Sequence, residues 1–315
     1  MIWSISKSKI FLECPRKWFF MDSVANSRSK DPLKKEAFYL KQLCSLYAWR
    51  GNLVDHVIET KIVPSLRIKK IPLEEEVISY TRQLANDQLE FGLAQKYREK
   101  GMTKTNAGLN YCAFYDIEYN GGLKEENFQY ALKEAETSLS NLLSSDIVNS
   151  LVQSNLYLIP QRTLHHSMID FHITCTPDLI VFYNERPPLI IDWKVHSGRN
   201  TDYWLQLGVY SYILSRTKPH KDFPTRFSAL VSDSKEIELI EFQLLQNKIK
   251  RYKLTEQDIC DIEDYIYKTG KIMKYAEEIN EDEIKNYSTS NYASSCKICQ
   301  FKKLCFQGEE YAKSN

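Results

Sequence analysis

Pro188-Leu189-Ile190-Ile191-Asp192-Trp193-Lys194-Val195 decides how this chain folds. Leu189, Ile190 and Ile191 are apolar without alternation, the pattern of a strand buried on both faces. Side chains two apart on a strand share a face, so Asp192 and Lys194 point the same way. An Asp-x-Lys pair is ordinarily a solvated surface strand. The apolar run ahead of it places this strand in the interior, where charge needs a partner. Upstream, Pro177-Asp178 leads into a second strand, Leu179–Tyr183. The turn Asn184-Glu185-Arg186-Pro187-Pro188 makes pairing of the two strands natural, so Asp178 and Asp192 converge.

Two carboxylates on one buried face repel unless a cation lies between them. Hard oxygen ligands with few protein groups suit Mg²⁺ or Mn²⁺, which keep several waters. Such an ion can hold a phosphate and activate water, and Lys194 adds positive charge for a developing oxyanion. Downstream, Gln206 and Tyr210 are four apart and share a helix face. Gln206 can orient Lys194 or a water, although an amphipathic helix alone explains the pair.

The surrounding pattern is mixed. Helices are expected over 4–21 (with Pro15 marking a bend or a second start), 38–61, 73–100 and 123–152. Strands are expected over 156–160, 168–176, 179–183 and 189–195, a helix over 201–215, a hairpin of 227–232 with 237–242, and a helix over 255–279. This order gives an α/β chain of mixed α+β character. Its parts are residues 1–64, opening helices; 65–155, a helical insertion; 156–245, the core with the acidic residues; and 246–315, a closing helix and cysteine segment.

The cysteines are the second strong signal. Cys296, Cys299 and Cys305 form C-x2-C-x5-C inside SSCKICQFKKLC, and Cys14 lies in Glu13-Cys14-Pro15-Arg16-Lys17-Trp18. Together they read as one four-thiolate site tying the ends of the chain. Cys44, Cys112, Cys175 and Cys260 stand singly among apolar neighbours and read as core. No stretch reads as a membrane span, and Ser6, Lys7, Ser8 and Lys9 break the apolar start, so a reducing cytoplasm is the expected location.

With 42 Lys+Arg against 41 Asp+Glu, the net charge is +1. Bulk charge therefore cannot drive nucleic-acid binding, which would need local contacts. Arg16, Lys17, Arg199, Lys302 and Lys303 are candidates for phosphate, and Trp18, Trp204 and Phe301 for stacking on unpaired bases.

His56, Asp178, Asp192-x-Lys194, Gln206-x-x-x-Tyr210 and the flanking cysteines resemble the PD-(D/E)xK phosphodiesterase superfamily. Within it they are similar to the RecB/AddB-like branch with an iron–sulfur cluster, which includes the CRISPR-associated RecB-like exonucleases. SKSKIFLECPRKWFF resembles that branch's first helix and CKICQFKKLC its closing cluster motif, while residues 65–155 carry no recognised motif. The second acidic position is Asp192 where Glu is the alternative, a residue the branch commonly accepts. The resemblance implies a restriction-endonuclease-like core, a central mixed sheet flanked by helices. It implies that His56, Asp178, Asp192 and the Trp193 backbone carbonyl hold Mg²⁺ or Mn²⁺, with Lys194 as the catalytic lysine. It makes Cys14, Cys296, Cys299 and Cys305 ligands of a [4Fe–4S] cluster, for which a structural Zn²⁺ is the alternative. The activity it implies is metal-dependent DNA cleavage on single strands or ends, in repair, CRISPR adaptation or antiviral defence. The alternative is a DNA-binding scaffold subunit of a larger helicase–nuclease or defence complex. No G-x-x-x-x-G-K-[ST] loop is present, so a helicase partner would be a separate subunit.

Overall fold

The antiparallel pair Leu179–Tyr183 and Leu189–Lys194 lies at the centre of the computed structural model, which describes residues 1–153, 156–196, 203–225, 231, 233–279 and 283–305. The strands among these residues are β1 (Ile2–Trp3), β2 (Leu156–Pro160), β3 (Leu164–Ser167), β4 (His172–Cys175), β5 (Leu179–Tyr183), β6 (Leu189–Lys194), β7 (Glu238–Gln243) and β8 (Lys248–Tyr252). The main sheet runs β2-β5-β6-β7-β8 and is mixed, because β6 and β7 are parallel while its other neighbours are antiparallel. A smaller sheet, β1-β4-β3, carries the first residues of the chain beside β4.

Both faces of the main sheet are covered by helices, which is why β6 lacks alternation. Ile190 and Leu239 pack with the helices Ile5–Glu13, Trp204–Leu214 and Glu256–Ile279. Ile191, Trp193, Ile240 and Phe242 pack with Leu46–Val57, Glu74–Leu93 and Glu125–Leu143. At Gly270 the backbone of the Glu256–Ile279 helix lies directly against Phe171: an added Cβ would come within 2.2 Å of the ring. That close approach locks the small sheet to the last long helix.

Several boundaries differ from the sequence expectation, mostly where a polar side chain restarts a helix. Cys14 caps Pro15–Phe19 after Ile5–Glu13 ends, so Pro15 marks a second start. Residues 38–61 divide into Pro32–Lys41 and Leu46–Val57, because the Ser45 hydroxyl accepts the Ala48 N–H. Residues 123–152 divide similarly: the Ser145 hydroxyl accepts the Val148 N–H at 3.3 Å between Glu125–Leu143 and Asp146–Gln153. Of the strand expected at 168–176 only His172–Cys175 is β4, and it pairs back on β3, which lies before that range. Of the hairpin expected between 227–232 and 237–242, all of the first strand but residue 231 lies outside the described residues, and β7 pairs onward with β8. Cys260 is exposed rather than core, while Cys112 and Cys175 are buried and the Cys44 thiol donates to the Ala113 carbonyl at 3.4 Å.

The two ends of the chain meet through aromatic rings. Phe19 stacks on Tyr287 at 4.1 Å, Phe20 stacks on Phe301 at 5.1 Å, and Trp18 tilts against Tyr287 at 6.1 Å. Each such pair contributes about 0.5–1.5 kcal/mol beyond its buried area, so this seam holds the termini independently of any thiol chemistry. Trp18 is 1% exposed and Phe301 is fully buried, so these two rings are packing residues and cannot stack on a base. No helix among the described residues is long and apolar enough to cross a membrane.

Candidate active site

Asp192 is only 1% exposed on β6. Its Oδ2 forms an ion pair with the Lys194 ammonium on the same strand face, and its Oδ1 accepts from Gln206 Nε2 at 3.2 Å. Gln206 also donates to Tyr210 Oη at 2.7 Å, one turn along the Trp204–Leu214 helix. Asp178, just ahead of β5, accepts the Trp193 backbone N–H on Oδ2 at 2.8 Å and Gln161 Nε2 on Oδ1 at 3.1 Å. The structure thus brings Asp178, Asp192, Lys194, Gln206 and Tyr210 into one connected network. Trp193 takes part through its N–H.

From the Leu46–Val57 helix, Asp55 is the residue turned to this cluster. It lies close enough to Asp178 and Asp192 to shift and be shifted by them. The charges around His56 are instead Glu59 and Lys104, and its Nδ1 is buried without a partner. Sequence reasoning missed Asp55. The available signal was an acid inside the apolar run Leu53-Val54-Asp55-His56-Val57-Ile58, the same anomaly that singled out Asp192. It also missed Glu241, fully buried on β7 directly across from Asp192. Gln243 Nε2 and Tyr252 Oη donate to Glu241 at 2.6 and 2.7 Å, so it is a satisfied wall of the site. Arg50 completes the frame. Buried and ion-paired with Glu134, it donates to the Val195 carbonyl and fixes the end of β6 against the Glu125–Leu143 helix.

The electrostatics follow from three carboxylates sharing one poorly solvated space. Burial pushes Asp178 well above the usual carboxylate range; Asp192 and Asp55 add to this, while Lys194 and the Trp193 N–H oppose it. For Asp55, burial outweighs the opposing Lys194, and with Asp192 and Glu59 it pushes the pKa up to about 7. Burial disfavours the charge on Lys194, but Asp192 and Asp178 outweigh that and hold it above an ordinary lysine. The donor set is hard oxygen with an excess of negative charge, which fits a divalent cation of the Mg²⁺ or Mn²⁺ type. Among the described residues no three acidic, His or Cys side chains already stand in coordinating geometry, and Lys194 is the cation beside Asp192 in this structure.

A pH prediction follows for the metal-free protein. An acid whose pKa is raised on folding contributes stability below its unfolded value, about 4, and that contribution is lost as pH rises through about 7. In EDTA the denaturant midpoint should therefore fall between about pH 5 and pH 8, and Asp55→Asn should flatten the decline. Urea titrations of both proteins at the two pH values check this, and parallel declines would rule out Asp55 as the source.

The four thiols form a separate place. Cys14, Cys296, Cys299 and Cys305 line one cavity of about 600 Å³. Backbone N–H groups of Lys17 and Phe301 donate to Cys14 Sγ and Cys299 Sγ, each at 3.4 Å, and Arg16 Nη1 donates to Cys305 Sγ at 3.7 Å. Burial pushes the Cys299 thiol up against the Phe301 N–H and Lys17, and Cys14 and Cys305 stand near enough to add to it. A converging thiol set with donors aimed at sulfur fits a thiolate-held metal group.

The remaining candidates are spread out. Lys302 donates to Tyr115 Oη at 2.8 Å, Lys303 pairs with Glu118 at 3.0 Å, Trp204 is half-buried, and Arg199 lies outside the described residues.

A family model described as the PD-(D/E)XK nuclease superfamily matches residues 2–306. No curated protein sequence matches the chain. Among solved structures, the crystal structure of SSO0001 is similar at 13% identity, covering 72% of this chain and 96% of that one with a TM-score of 0.32. A candidate exonuclease from Eubacterium rectale is similar at 10% identity, covering 85% of this chain and 92% of that one with a TM-score of 0.33.

Proposed function

This chain belongs to the PD-(D/E)XK nuclease superfamily, and from that premise we propose that it is a metal-dependent deoxyribonuclease acting on single-stranded DNA or DNA ends. The observation that carries the reading is the buried Asp192, paired with Lys194 and set beside Asp178 from the neighbouring strand. Asp178 and Asp192 are the residues that would hold Mg²⁺ or Mn²⁺, and Asp55 takes the place that sequence analysis gave to His56. The ion supplies a Lewis acid and an activated water. Gln161 and the Trp193 N–H keep Asp178 from rotating away. Gln206, braced on Tyr210, does the same for Asp192. Lys194 brings a fixed positive charge to where the phosphorane forms, in a space dry enough for that charge to count. Cys14, Cys296, Cys299 and Cys305 would hold an iron–sulfur cluster as a clasp on the ends of the chain.

The test is cleavage of end-labelled single-stranded, linear duplex and circular DNA with Mn²⁺. Linear and single-stranded DNA should be degraded from the ends while closed circles persist. Absence of metal-dependent cleavage on all three would overturn the assignment, and cleavage of circles would make the enzyme an endonuclease.

A further inference from the structure

Two lysines of the opening helix Ile5–Glu13 have different surroundings. Lys7 is paired with Asp22. Lys9 has no carboxylate partner among the described residues and remains exposed, with its Nζ 5.9 Å from the centre of the Tyr203 ring. The same ring has Lys194 Nζ at 4.8 Å and the His196 ring at 5.6 Å. Lys9 is close enough to Lys194 and Asp192 to feel both charges. His196 follows Asp192 and Lys194 at intervals of two, and both of its ring nitrogens are buried with no hydrogen-bond partner.

This arrangement lacks something. Two ammonium groups gathered at one ring repel each other. An imidazole with neither nitrogen satisfied has lost water and gained nothing in return. Asp192 is already engaged by Lys194 and Gln206, so among the described residues none supplies a paired counter-charge for Lys9. An anion carrying several acceptor oxygens would satisfy Lys9 and the imidazole N–H together.

We propose that Lys9, His196 and Tyr203 form a phosphate subsite, which holds the nucleic-acid phosphodiester next to the one being cut. The proposal rests on the nuclease reading and adds a substrate contact to it. Lys9 gives the charge, His196 the directed donor, and Tyr203 fixes the spacing between Lys9 and the catalytic Lys194. The opening helix thereby becomes part of the substrate path rather than only a packing element.

The experiment separates binding from cleavage. A fluorescein-labelled single-stranded oligonucleotide is titrated with the Asp192→Ala protein, with and without Lys9→Ala, over a range of salt. Loss of Lys9 should weaken binding about tenfold at low salt and reduce the slope of log K against log salt by about 0.7, the value for one phosphate on a single strand. Lys9→Arg should keep the slope, and His196→Ala should weaken binding without changing it, because the neutral imidazole releases no counterion. Because Lys9 is exposed, its variants should melt like the parent. Equal affinity and equal slope with and without Lys9 overturn the subsite alone. Failure of the Asp192→Ala protein to bind any oligonucleotide overturns the nuclease reading and the subsite with it.

Discussion

Asp192→Asn should lower metal-dependent cleavage by about a thousandfold or more while leaving the protein folded. Asn keeps the shape and an oxygen for Gln206 Nε2, so what is lost is the charge that pairs with Lys194 and competes for a cation. The alanine variant is a harsher change. It leaves the Lys194 ammonium, 16% exposed, without its nearest carboxylate, and breaking one partner of a fully buried pair costs about 3–5 kcal/mol. Partial exposure of Lys194 and the nearby Asp178 reduce that cost, so Asp192→Ala should still fold, with a lower melting temperature than Asp192→Asn. Single-turnover cleavage with Mn²⁺ and a circular-dichroism melt of each variant check both statements. A cleavage rate within tenfold of the parent would remove Asp192 from the chemistry.

Cys299→Ser should bleach the protein purified without oxygen and lower its melting temperature by about 10 °C. The loss is one thiol of the four that line the shared cavity, and serine is a poor ligand for a soft thiolate-bound metal. Complete unfolding is not expected, because Phe19–Tyr287 and Phe20–Phe301 still stack across the same junction. The absorbance near 400 nm before and after substitution, together with iron and zinc analysis, decides between cluster and ion. A colourless parent with stoichiometric zinc would replace the cluster by a four-thiolate zinc clasp. An unchanged melting point in Cys299→Ser would remove the clasp altogether.

The central pair β5–β6 was legible because it needs only local information: an apolar run, a turn, and a second apolar run. The convergence of Asp178 and Asp192 followed from that pairing alone. Helix ends were less legible, since Ser45 and Ser145 act through one hydroxyl each and leave no mark on apolar periodicity. Strand β1 is two residues long and finds its parallel partner β4 about 170 positions away, beyond any pattern argument. Asp55 and His56 are adjacent: the resemblance pointed to His56, and the charges of the acidic cluster act on Asp55 while Glu59 and Lys104 act on His56. Trp18 and Phe301 show the opposite failure: aromatic residues beside lysines read as a base-stacking surface, but they are the mortar between the ends of the chain.

That junction also dictates an order of events during synthesis. Trp3 hydrogen-bonds Thr269, and Phe19 stacks on Tyr287, so the opening residues find these partners only after the segment that carries Thr269 and Tyr287 has been made. Until then the run Trp18-Phe19-Phe20 lacks the rings it packs on in the finished fold, and transiently exposed apolar surface of this kind favours contact with other chains.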